Sequence, residues 1–132
     1  MLADADLLHL TYIVNRLKWS DGIKTVILIS YGILIQRSGF VKLENFAVSL
    51  HHTIMPCFIK FCIQRLEKND CQLFLITQDY DLIEKFVEAA EELDRQSFIK
   101  YYRLEKNNEQ LDVITMNHAE LKVCIDNKWE IR

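Results

Sequence analysis

The sequence predicts an α/β fold, with a mostly parallel sheet flanked by helices in a single domain over residues 1–132. Three observations carry that expectation. Short, dense apolar runs alternate with longer segments whose apolar residues recur at three and four, the signature of strands alternating with helices. Half of the 132 residues are hydrophobic and only three are Gly and one Pro, enough apolar mass and regular backbone for a real core. No Pro/Gly/Ser-rich linker, internal repeat or low-complexity tract divides the chain.

In residues 4–17, Leu7, Leu10, Ile13, Val14 and Leu17 fall at helical spacing behind aspartates, which favour a helix start. Residues 23–35 are rich in β-branched side chains, which suits a strand. They run longer than a usual strand, however, and are read as helix. A short strand is expected at 40–45. A buried helix over 52–68 carries Ile54, Phe58, Ile59, Phe61, Cys62, Ile63 and Leu66 on a broad apolar side, with Pro56 in its first turns, where proline is tolerated. Residues 71–77 make a compact apolar strand. Asp79 or Asp81 caps a helix over 80–93 in which Leu82, Ile83, Phe86, Val87, Ala90 and Leu93 repeat at three, four and seven. A third strand over 97–104, a loop "KNNEQ", a segment "LDVITM" and a short helix from Asn117 complete the pattern.

The order 40–45, 52–68, 71–77, 80–93 and 97–104 reads as two βαβ units, whose ligand site lies beyond the C-terminal ends of the strands. The residues expected there are Glu44 and Asn45, Thr77 and Gln78, and Arg103 and Glu105.

Charge and cysteine usage exclude several functions. A net charge of -3, from 16 basic and 19 acidic side chains spread along the chain, gives no footprint for nucleic acid. Cys57, Cys62, Cys71 and Cys124 lack C-x-x-C spacing, which argues against zinc and for a reduced, cytoplasmic chain. The N-terminus has no signal-like pattern, and the longest apolar run, "TVILISYGILI", is too short to span a bilayer, so no membrane contact is expected.

Several segments together resemble a known family over roughly residues 18–132. They are "WSDGIKTVILISYGIL", the strand with Glu44-Asn45, the "LHH" at 50–52 before a long helix, "QLFLITQDYDLI", and "YYRLE". Their order and spacing are similar to the C-terminal half of the ABC-like AAA ATPases of the OLD and SMC type. There a signature segment S-x-G-D-G-I opens a helix, a Walker B strand ends in Asp-Glu before a Leu-His-His segment, and the next strand ends in a switch His. The resemblance implies half of a P-loop ABC-like ATPase head, with a signature-like segment over 19–36 and a degenerate Walker B region and its sequel over 40–132. It also supports the helix over 23–36.

Matched in this way, Glu44 stands at the magnesium-organising Asp, Asn45 at the general-base Glu and Gln78 at the switch His. An amide cannot accept a proton from water near neutral pH, so hydrolysis lacks its base. Ser20 and Ser49 replace glycines of the family pattern, and no G-x-x-x-x-G-K-[ST] phosphate cradle occurs in the chain. The resemblance leaves Ser20, Asp21, Gly22, Ser49 and His51 as nucleotide-contact candidates and Glu44 as the metal candidate. No cofactor is expected in isolation; Mg-ATP would require a composite site completed by a Walker A-bearing subunit.

Each of these residues has a plainer reading. Glu44 can hold a divalent cation through water or be a surface carboxylate at a strand end. His51 and His52 can contact a partner or sit in a first helical turn, one packed and one solvated, and His118 reads as a helix-start residue. Asp21-Gly22 can contact a nucleotide or start a helix. Arg103 can meet a phosphate, a partner carboxylate or solvent. Cys57 and Cys62, five apart, point to different sides of their helix and pack. The aromatic pairs Tyr101-Tyr102 and Phe58-Phe61 suit a core better than a base-stacking platform.

The function this supports is a non-catalytic interaction or regulatory module. The alternative is the C-terminal part of a split ATPase. The expected partner is a second copy or a larger ATPase subunit, met through apolar surface near residues 23–36, with 49–53 playing a minor part.

Overall fold

The computed structural model describes residues 12–13, 15–16, 18–44 and 52–131. The expected strand residue Asn45 and the segment at 49–51 lie outside them, as does most of the helix expected over 4–17, of which residues 12–13 and 15–16 are helical. The chain divides into two compact units, residues 1–77 and 78–132.

The first unit is built on α1 (Asp21–Ile35), β1 (Gly39–Glu44), α2 (Met55–Lys68) and β2 (Cys71–Ile76). Length and capping settle the ambiguous 23–35 segment in favour of helix. Ser20 sits at the N-cap in extended conformation, its hydroxyl accepting from the Ile23 N–H at 3.4 Å, and Asp21 occupies the first turn. Pro56, near the start of α2, marks where that helix begins; His52, Thr53 and Ile54 ahead of it form a turn rather than helix. β1 and β2 pair in parallel, Gly39 beside Cys71 through Glu44 beside Ile76.

Asn69, the C-cap of α2, ties these elements together. Its side-chain amide donates to the Ile33 carbonyl at 2.9 Å, and its own carbonyl accepts from Ser38 N–H at 3.0 Å and from the Cys71 thiol at 3.4 Å. Ser38 and Asp70, both at positive φ (58° and 53°), turn the chain into the two strands. The core of the unit is Ile33 of α1 with Met55, Phe58, Ile59, Cys62 and Leu66 of α2, all buried. Ile63 is only half-buried. Burial pushes the Cys62 thiol up to about 12, so it packs as a neutral group while Cys57 is exposed.

The second unit comprises α3 (Tyr80–Glu92), a 3-10 turn (Gln96–Phe98), β3 (Lys100–Asn107), β4 (Gln110–Asn117) and α4 (His118–Asp126). Asp79 caps α3, its carboxylate accepting from Asp81 and Leu82 N–H. Ile83 and Val87 of α3, Leu121 and Ile125 of α4 and Ile131 of the tail form the core, with Tyr80, Ile99, Tyr101, Met116 and Cys124 against it. α4 opens on a capping box between Asn117 and Glu120.

This unit corrects the expected topology. β3 does not extend the parallel sheet; it pairs antiparallel with β4, Lys100 beside Asn117 through Asn107 beside Gln110, in a separate two-stranded sheet. The reason is the connection. The segment read as a loop shrinks to the turn residues Asn108 and Glu109, and so short a link joins only antiparallel strands. Asn108 adopts φ 57°, which a primed hairpin turn requires and Asn tolerates. Among the described residues, parallel pairing is thus confined to β1 and β2.

Ile59 is fully buried, so Ile59→Ala should lower stability by about 2–4 kcal/mol, and Ile63→Ala by distinctly less. Urea denaturation of the two variants against the parent checks this. Asn69→Ala, which leaves the Ile33 carbonyl without its partner, should cost about 1–2 kcal/mol in the same measurement.

Candidate functional site

The C-terminal end of α1, the N-terminal ends of β1 and β2 and the C-terminal end of α2 all meet around Asn69. The helix N-termini and the C-terminal strand ends are the opposite ends of these elements, α1 rising about 22 Å and β1 about 20 Å. Ser20, Asp21 and Gly22 open α1 and Glu44 closes β1, each at the end of its element away from Asn69. The described residues give them no hydrogen bond or ion pair with one another.

Glu44 is exposed, beside Ile76 in the pairing register, with its carboxylate 2.5 Å from the ammonium of Lys42 on the same side of the sheet. Both members of that pair are about half exposed, so the link is a solvated one. No three His, Cys, Asp or Glu side chains among the described residues cluster as metal ligands. Ser20 spends its hydroxyl on the α1 cap, and Asp21 is exposed in the first turn. Asn45, Ser49 and His51 lie outside the described residues. Gln78 is exposed at the start of the second unit, and His52 is exposed in the turn before α2.

Several other readings change. Arg103 and Glu105 lie inside β3, which continues to Asn107, rather than beyond its end. They pair with each other at 2.7 Å, and Arg103 also donates to the Glu130 carbonyl at 2.6 Å, so the tail holds this guanidinium. His118 does start a helix, but its ring is buried, with Nε2 3.4 Å from the Val87 carbonyl oxygen and 3.7 Å from the Glu91 carboxylate. Phe58 is a core residue stacked on Phe61 at 6.5 Å. Tyr101 packs against the second core and donates to the Ile131 carbonyl, and its burial raises the phenol above its ordinary range. Tyr102 stands exposed under Lys100.

Exposed apolar side chains collect on the sheets more than on α1. On α1, Ile23 and Leu34 are exposed while Ile29 is half-buried. On the first sheet Phe40, Phe74 and Ile76 share one exposed face, with Phe40 and Phe74 edge to face at 5.7 Å. None of the described helices is long and apolar enough to cross a membrane. The "KND" at 68–70 marks the end of this helix in the sequence, as Asn after a basic helix end does, but nothing local signals the bonds from Asn69 to Ile33 and Ser38.

No protein-family model matches the chain, and no curated protein does either. Its fold is similar to a solved structure of an SMC ATPase, from work on ATP-driven dimerization and DNA-stimulated activation of SMC ATPases, with a TM-score of 0.52 and 12% identity over 86% of this chain. The chain spans 65% of the length of that one. At this identity the likeness speaks for the fold alone, a small α/β structure.

If Glu44 serves only as a solvated strand-end carboxylate, Glu44→Gln should change stability by less than about 0.5 kcal/mol. Thermal unfolding with and without magnesium checks this, because a cation bound at Glu44 would add a magnesium-dependent rise in midpoint that the variant loses.

Proposed function

We propose that this chain is an ATPase-like module of the ABC and SMC head type whose hydrolytic residues have been replaced, and that it serves as an interaction or regulatory part in the cytoplasm. The observation that carries the reading is the first unit. In a parallel β1–α2–β2 arrangement, within a fold similar to an SMC ATPase, β1 ends in Glu44 and the following position in the sequence is Asn45. An acid followed by an amide can organise a cation through water but cannot take the proton of an attacking water. Gln78 likewise offers an amide where the resembling family uses an imidazole.

Assembly belongs to the same reading. The SMC neighbour comes from work on ATP-driven dimerization, and this chain exposes apolar residues on both of its sheets. Its partner is then a second copy or a larger ATPase subunit.

On this reading the isolated chain neither binds Mg-ATP tightly nor hydrolyses it. Isothermal titration with Mg-ATP together with a phosphate-release assay should give no heat of binding and no turnover above buffer. Micromolar binding or turnover by the chain alone would refute it. Turnover that appears only on adding a Walker A-bearing subunit, and vanishes with Glu44→Gln, would instead support a composite site holding Mg-ATP.

A further inference from the structure

Among the described residues β4 pairs with β3 alone, so on alternate residues its N–H and C=O groups point away from any strand. Free edges are normally kept single by lysine, proline, a bulge or a covering segment. The β3 side has such protection. It carries Lys100, Arg103 and Lys106, and the tail is tied to it through Arg103 to Glu130 and Tyr101 to Ile131.

Among the described residues β4 has none of these devices. The sequence QLDVITMN contains one charge, Asp112, and its pairing with β3 runs without a bulge. Between Lys100 and Lys106 at its ends, the middle of the hairpin's outer face is apolar and open: Tyr102 is 55% exposed, Leu104 65%, Leu111 62% and Val113 56%. Beside β4 runs an open groove of about 380 Å³, lined by Thr115, Met116, Glu120, Val123, Cys124 and Trp129. An edge able to bond a strand, next to an apolar groove able to take a side chain, is the pattern of recognition by strand addition.

We infer that β4 accepts a strand, and that its occupant is β4 of a second copy, antiparallel about a twofold axis at Thr115. The inference rests on the assembly part of the proposed function and not on its nucleotide part. Charge and polarity along the strand select both occupant and register. In a twofold antiparallel pair, opposed residues share a face, which leaves few alignments. Centring the axis on Asp112 would oppose two carboxylates. Centring it on Val113 or Ile114 would bring the partner's Gln110 or the partner's Asp112 against Met116, a polar group beside the apolar groove.

Centring it on Thr115 sets the partner's Ile114 against Met116 and the groove, and pairs Thr115 with its twin. It also places Asp112 opposite the partner's His118, near the start of α4, where a helix N-terminus favours an acid. No like charges meet in this alignment.

Multi-angle light scattering on the full chain at high micromolar concentration tests the pairing, with circular dichroism to establish that each variant is folded. The parent should be a dimer. Val113→Lys, on the edge strand, should weaken it by roughly tenfold or more. Tyr102→Lys, on the same outer face but on β3, should leave it intact. Amide exchange on β4 should slow with rising concentration while that on β3 does not. Thr115→Lys provides the same reading should Val113→Lys fail to fold.

A monomeric parent overturns both this inference and the homodimer in the proposed function. A dimer indifferent to the folded edge variants overturns the edge alone. Loss of the dimer in Tyr102→Lys as well shows stacking of the apolar faces and overturns strand addition.

Discussion

The parallel pairing of β1 with β2 is anchored at one residue, Asn69. Its backbone N–H closes α2, its side-chain amide donates to the last turn of α1 through the Ile33 carbonyl, and its backbone carbonyl accepts from Ser38 at the entry to β1. Three chain segments are thereby held at a single point, and the register from Gly39–Cys71 to Glu44–Ile76 follows from where that point lies. A parallel pair has no hairpin turn to set its register, so the alignment must come from the crossover helix and its ends. Burial of Phe58, Ile59, Cys62 and Leu66 then supplies the stabilisation that keeps α2 in place.

The second unit solves the same problem by other means. Its strands are joined by a two-residue turn, so the backbone itself sets the register, and α4 follows directly from β4 through the Asn117–Glu120 capping box. The residues expected at the mouth of a third parallel strand serve other ends. Arg103 and Glu105 neutralise each other inside β3, and the tail carbonyl at Glu130 takes up a further guanidinium donor. The hairpin leaves one long, nearly uncharged edge, which is where a chain of this construction is most open to pairing.

For the candidate site, the chemistry of the side chains weighs more than their geometry. Glu44 ends a parallel strand, as the ligand-binding rule for open α/β sheets requires, but Lys42 already neutralises its carboxylate. Ser20 spends its hydroxyl on the α1 cap. Cys62, the buried thiol of α2, is held neutral and cannot act as a nucleophile, while the exposed Cys57 has no described imidazole bonded to it. Among the described residues, the first unit offers a strand-end carboxylate at Glu44 and a capped helix start at Ser20.

By itself the sequence determined the order of the elements and the kind of α1 to α4 and of β1 to β3, but it gave "LDVITM" no kind. Each of α1 to α4 announces itself through local signals such as Ser20, Pro56, Asp79 and Asn117, and β1 and β2 through a short apolar run between polar breaks. These signals act within a few residues and survive in a one-dimensional reading. Partner choice does not: whether β3 joined β2 or β4 turned on the conformation of Asn108, and whether His118 faced solvent or the Val87 carbonyl turned on how α4 lies against α3. The β1–β2 pairing and the burial depend on residues tens of positions apart, and the hairpin on a backbone angle at Asn108 that the sequence permits without dictating, so only the tertiary structure could decide them, and with them which strand edge was left open.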